Sequence, residues 1–103
     1  MSQTPAIDIH EAKKRIEAGA ILVDVREENE YQERHIPGSI LIPLSVFADR
    51  FEELPKDKPL VMQCRSGARS GKATDFLLVR GYDNAVNMTG GIMAWAEAGL
   101  ETT

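Results

Sequence analysis

The chain carries a single cysteine, Cys64, among 103 residues. One thiol forms no intramolecular disulfide, which disfavours chemistry that needs an internal resolving thiol. A free thiol suits a reducing compartment. Histidine is scarce as well, with His10 and His35 far apart, so no metal-ligand set is present. No metal and no cofactor is expected. His10 reads as an exposed helix residue and His35 as a turn residue, neither placed as a general base. No apolar run approaches the ~20 residues of a membrane helix. The start, MSQTPAIDIHEAKK, lacks the basic-then-apolar order of a signal peptide, which makes the cytoplasm the expected location. Basic residues are not in excess: 12 Lys and Arg face 16 Asp and Glu, a net charge of −4, with no stripe to neutralise phosphates. Nucleic acid and membrane are therefore not expected partners. Repeats, low-complexity tracts and linkers are also missing. With 43% hydrophobic and 27% charged residues, 1–103 reads as one globular domain.

What is present alternates between two periods. Asp8 and Glu11 fit a capping box for a helix from about Ile9 to Ala18, closed by Gly19. ILVDV (Ile21 to Val25) is short and β-branched, hence a buried strand. REENEYQERH reads as a short exposed helix, with Tyr31 and the acidic run Glu27 to Glu33 on a solvated face. Ile36-Pro37-Gly38 is a turn, and SILIP (Ser39 to Pro43) a second strand. Ser45 is placed to cap a helix through about Leu54, and Pro55 and Pro59 bracket a loop. LVMQC (Leu60 to Cys64) is a third strand. A helix from Ser70 to Arg80 follows, with Ala73, Phe76, Leu77 and the stem of Arg80 on one face and Gly81 at its end. AVNM (Ala85 to Met88) is a further strand, and IMAWAEAG a last helix ended by Gly99. Phe76, Leu77 and Trp95 read as core, and the four methionines as dispersed filler. Apolar strands joined by helical connections predict a parallel sheet covered on both faces, an α/β fold. In such sheets the ligand site lies beyond the carboxyl ends of strands, which is where Cys64 falls.

The stretch VMQCRSGARSGKA holds the chemistry. Arg65, Arg69 and Lys72 stand together, with no acidic residue between Asp57 and Asp75. Gly67 lets the backbone turn its amides inward, and a helix start at about Ser70 adds unpaired N–H groups. Such a ring of amides plus a helix start binds anions, and two guanidinium groups strengthen it. The same field lowers a thiol from a pKa of ~8.5 to roughly 3.5–7.5. If it falls by about two units, the thiolate fraction at pH 7 rises roughly 25-fold. Lower basicity then costs back about eightfold in nucleophilicity, leaving only about threefold. The loop's larger use is to position an anion and stabilise developing charge. A lone thiolate there could take sulfane sulfur, attack phosphate or arsenate, or sense oxidation.

CRSGARS resembles the active-site loop of the rhodanese family. LVDVREENEY with HIPGSILIP looks like that family's strand, Asp-x-Arg turn and "HIPGA" stretch, and TGGIMAWAEAGLE like its closing Gly-Gly…Trp helix. The likeness covers about Ile7 to Leu100. It implies a rhodanese-like, open, mostly parallel five-stranded sheet with helices on both faces, including a short first strand near Pro5 to Ile7. It also implies sulfur transfer through a persulfide on Cys64, cradled by Arg65, Ser66, Gly67, Ala68, Arg69 and Ser70. Arg65 and Arg69 would face a small anionic sulfur donor, and Asp24 and Arg26 would organise the loop's surroundings. The acceptor would be a thiol or cyanide, with thioredoxin or glutathione as candidates.

Four residues separate Cys64 from Arg69. Phosphatases and arsenate reductases of the same fold use a loop one residue longer, so the shorter loop favours sulfur. In tandem-domain relatives, Arg and Lys after the cysteine accompany thiosulfate, and Gly and Ser accompany mercaptopyruvate. Here Arg65 and Ser66 follow, and Arg65 points to thiosulfate. A regulatory or redox-sensing rhodanese module is the alternative that an intact cysteine leaves open.

Overall fold

The computed structural model describes residues 3–103. Five strands form one sheet in the order β1-β5-β4-β2-β3: β1 (Ala6–Ile7), β2 (Ile21–Asp24), β3 (Ile40–Leu41), β4 (Leu60–Gln63) and β5 (Ala85–Met88). Every pairing is parallel, so the sheet is wholly rather than mostly parallel. Parallel neighbours need crossovers, which hold α1 (Ile9–Glu17), α2 (Glu28–Glu33), α3 (Phe47–Arg50) and α4 (Ala68–Val79), while α5 (Gly91–Glu97) follows the last strand.

Because side chains alternate along a strand, the two faces of the sheet bury different sets. Val23, Leu60, Met62 and Ala85 pack with Phe47 of α3 and with Ala73 and Leu77 of α4. Leu22, Val61 and Met88 pack on the other face with Ile9 and Ala12 of α1 and Ile92 and Trp95 of α5. Full burial of each large apolar side chain contributes about 1.5–3 kcal/mol before entropy is counted. The expected core residues Leu77 and Trp95 are there, and Phe76 packs partly buried, its ring 3.4 Å from the Arg80 guanidinium.

Several boundaries differ from the sequence reading, each for a local reason. Asp8 caps α1 by accepting the Glu11 N–H at 2.8 Å, but the Glu11 carboxylate turns to Arg15 instead of closing the box. The second predicted strand shrinks to Ile40–Leu41 at the sheet edge, with Pro43 beyond it lacking an N–H to pair. Ser45 caps nothing, because its hydroxyl donates to Glu27 Oε1 at 3.0 Å. The helix expected after it is broken into α3 between 3₁₀ turns at Leu44–Val46 and Phe51–Glu53. The helix after the cysteine begins at Ala68 and not near Ser70, since Gly67 adopts φ +109° and turns the chain into the helix at once. No helix among the described residues is long and apolar enough to cross a membrane.

The topology leaves one preferred place for a ligand. From β2 the chain passes through α2 to the outer strand β3, whereas from β4 it passes through α4 to β5 on the other side. The carboxyl ends of β2 and β4, paired Asp24 to Gln63, are therefore where the connections diverge.

Candidate active site

Cys64 follows the last residue of β4 at that divergence, with only 1% of its surface exposed. Arg65, Ser66 and Gly67 make the loop proper, while Ala68, Arg69 and Ser70 form the first turn of α4. The Gly67 N–H donates to the sulfur at 3.1 Å, and the Ser70 hydroxyl lies 3.4 Å from it. Burial works against ionisation of this thiol. The Ser70 hydroxyl and the N–H groups of Ser70, Gly67 and Ser66 outweigh it, so the thiol titrates below its ordinary range.

Helix α5 shapes the loop from below. Ile92 N–H donates to the Cys64 carbonyl at 2.9 Å and Met93 N–H to the Arg65 carbonyl at 3.1 Å. With both carbonyls held toward α5, the loop's N–H groups are left to face the sulfur. Asn87 of β5 ties the other end: its Nδ2 donates to the Gly67 carbonyl at 3.0 Å, and its Oδ1 accepts from the Ser70 hydroxyl at 2.6 Å.

The charged residues separate into two kinds. Asp24 and Arg26 form a buried pair, with the carboxylate accepting from the Arg26 N–H, Nε and Nη2. Arg26 also donates to the carbonyls of Arg34 (2.7 Å) and Glu30 (3.4 Å), so it fastens α2 to the end of β2. Neither residue is bonded to the sulfur. Gln63, opposite Asp24, is fully buried, with neither amide atom bonded to another described residue.

Arg69 stands at the mouth, but both its terminal nitrogens are taken by Glu30, at 2.8 and 2.9 Å. Those hydrogen bonds hold the Glu30 carboxyl well below the usual range, at about 2, and push Arg69 up. The acidic run of α2 is thus not a purely solvated face. Tyr31 leaves it as well, its hydroxyl donating to the Ser39 carbonyl and its ring stacking on His35 at 4.0 Å. Arg65 is exposed and has no carboxylate partner among the described residues, as is true of Lys72. A cleft of about 380 Å³ opens beside the loop between Arg26, Glu30, Arg34 and Arg65. A cleft of about 450 Å³ lies at the amino ends of the strands, between Arg15, Pro59 and Asn84, away from any nucleophile. The carboxyl-end cleft is the one that a residue of the Cys64 loop, Arg65, lines. The described residues contain no cluster of metal ligands.

The pattern of the rhodanese-like domain matches residues 8–98. The chain belongs to the rhodanese-like domain family. It is 42% identical over 80 residues to a sulfurtransferase of Allochromatium vinosum, covering 78% of this chain and 75% of that one. It is 34% identical over 95 residues to the thiosulfate sulfurtransferase GlpE of Pseudomonas syringae, covering 92% and 90%. The crystal structure of a rhodanese-related protein from Thermoplasma volcanium superposes with a TM-score of 0.90 at 33% identity, over 96% of this chain and 97% of that one. The rhodanese-like fold expected from the sequence is therefore the fold observed.

Two contributors to this site were not singled out from sequence: Glu30 and Asn87. Asn87 carried a signal, because a polar residue inside the apolar run AVNM has to find a partner when buried. Glu30 carried none that separates it from its acidic neighbours.

Proposed function

We propose that this rhodanese-like domain is a sulfurtransferase that carries sulfane sulfur on Cys64. The supporting observation is the buried Cys64 sulfur facing the N–H groups of Ser66, Gly67 and Ser70. That cradle suits a thiolate, and equally the terminal anionic sulfur of a persulfide. The proposed donor is thiosulfate, with Arg65 as its free counter-charge and Arg69 at the mouth. The Cys64 thiolate attacks the outer sulfur, the S–S bond of thiosulfate breaks, and sulfite leaves with the electron pair. An acceptor nucleophile then attacks the outer sulfur of the persulfide and releases the Cys64 thiolate. Cyanide would give thiocyanate, and a thiolate such as that of glutathione or thioredoxin would give its own persulfide. Asp24 and Arg26 serve by holding α2 in place.

The names of the relatives support transfer of sulfur, and the four-residue spacing from Cys64 to Arg69 favours it over phosphate or arsenate chemistry. Incubation with thiosulfate followed by intact mass measurement tests the proposal. A gain of one sulfur atom, discharged by cyanide and missing in Cys64→Ser, is expected. An unchanged mass with thiosulfate, together with no thiocyanate formation, would refute it.

A further inference from the structure

Of the two arginines in the loop after the thiol, Arg69 is already neutralised. Glu30 spans Arg69 with both carboxylate oxygens, and the Glu27 N–H fixes Glu30 Oε1 from behind at 3.0 Å. Side-chain exposures of 34% for Arg69 and 28% for Glu30 leave the pair half-sheltered at the mouth. We propose that Glu30 determines the charge preference of the Cys64 site: it holds Arg69 at the mouth and cancels its charge, which disfavours doubly charged donors. This rests on the reading of Cys64 as the sulfur carrier and refines its substrate class.

With Arg65 and Arg69 positive, and Glu30 and the thiolate negative, the four charges sum to zero before any donor arrives. A dianion such as thiosulfate then approaches a site whose second guanidinium is engaged. A neutral or singly charged sulfane-sulfur donor, an organic persulfide being the simplest, meets a smaller penalty. In that case the Cys64 thiolate takes the outer sulfur, the donor S–S bond breaks, and the donor's inner sulfur leaves as a thiolate. Thiosulfate is thus used against the field of Glu30.

The decisive measurement needs no sulfur transfer, so it is separable from the reading on which the inference rests. Cys64 is alkylated with iodoacetate, an anion, and with iodoacetamide, its neutral counterpart, and both rates are followed by intact mass. Their ratio cancels any change in thiolate fraction. Glu30→Gln should raise the iodoacetate-to-iodoacetamide ratio about threefold to tenfold, as one partly screened unit charge within a Debye length would. Glu28→Gln, the same charge change on an exposed residue of α2, should move it less than about twofold under the same screening. Arg69→Ala, which strips Glu30 of its partner, should lower the ratio and gives a second reading if Glu30→Gln folds poorly. In turnover, Glu30→Gln should lower the KM for thiosulfate while leaving that for an alkyl persulfide nearly unchanged. Equal ratios in Glu30→Gln and Glu28→Gln, or an unchanged ratio in Arg69→Ala, would overturn the inference even if Cys64 carries sulfur. A shifted ratio without persulfide formation would instead overturn the sulfurtransferase reading alone.

Discussion

Gly91 lies against the carbonyl of Cys64 with no room for a side chain between them. A Cβ on Gly91 would collide with the carbonyl oxygens of both Cys64 and Arg65, and φ is +58° there, a region that side chains other than hydrogen rarely adopt. The closeness has a purpose in the geometry. It brings the Ile92 and Met93 N–H groups within bonding distance of those same carbonyls, and so fixes which way the peptides of the Cys64 loop face. Gly91→Ala should destabilise the domain by about 2–4 kcal/mol, combining overpacking with backbone strain. It should also raise the thiol's apparent pKa by turning the cradle's amides away. Urea denaturation and the pH dependence of alkylation check both; a loss under about 0.5 kcal/mol, the size of a neutral surface change, would contradict the close approach.

The Ser70 hydroxyl has one hydrogen and two acceptors. Asn87 Oδ1 is at 2.6 Å and the Cys64 sulfur at 3.4 Å, so in the resting site the hydrogen belongs to Asn87. Formation of a thiolate supplies a stronger acceptor and draws the hydrogen across. Asn87→Ala removes the competitor and should lower the thiol's apparent pKa further, while Ser70→Ala should raise it. Iodoacetamide rates as a function of pH read both shifts, starting from a wild-type inflection below the ordinary thiol range. Shifts of the same sign in the two variants would show that the hydroxyl is not shared in this way.

Such sharing also marks where reading a sequence stops. The pattern of short apolar strands and intervening helices was legible because burial on two faces leaves a periodic trace, and β5 was placed residue for residue as Ala85–Met88. Cys64 at a strand end and Gly67 in a turn were legible for the same kind of local reason. Glu30 was not, because its importance comes from Arg69, 39 positions away, and nothing near Glu30 in the chain announces that partner. The strand through Ser39–Pro43 was overestimated since propensity does not report that the segment sits at an edge. Local chemistry writes itself into adjacent residues, whereas pairing across the switch point between β2 and β4 does not.

Arg26 should be among the most sensitive positions outside the loop. Its guanidinium is the counter-charge of a carboxylate with no exposed surface, and it also bonds two carbonyls of α2. Arg26→Ala leaves Asp24 buried and unpaired, a change that costs about 3–5 kcal/mol in comparable settings. Arg26→Lys keeps the charge but loses the fork that grips both oxygens, so its cost should be intermediate. Hydrogen exchange adds a readout specific to the fastening of α2. The Tyr31 and Arg34 amides, bonded to the carbonyls of Glu27 and Glu30, should lose protection more than those of α1. Uniform loss of protection across both helices would mean that Arg26 supports the whole fold and not α2 in particular.

Acid should weaken the fold through the Glu30–Arg69 pair. The Glu30 carboxyl is depressed from 4.5 to about 2 in the folded chain, chiefly by its hydrogen bonds to Arg69. A depressed acid stabilises the fold fully above its unfolded value, and that stabilisation is lost as pH falls through the folded one. The window therefore runs from about pH 4.5 down to about pH 2. After allowance for solvent screening of a pair that is about one-third exposed, the contribution is about 2 kcal/mol. Glu30→Gln lacks this titration, so its stability deficit at pH 7 should shrink steadily through that window. Denaturation midpoints collected at several pH values for both proteins give the difference directly. A deficit that stays constant from pH 7 to pH 2 would mean that the carboxylate gains nothing from Arg69 in the folded state.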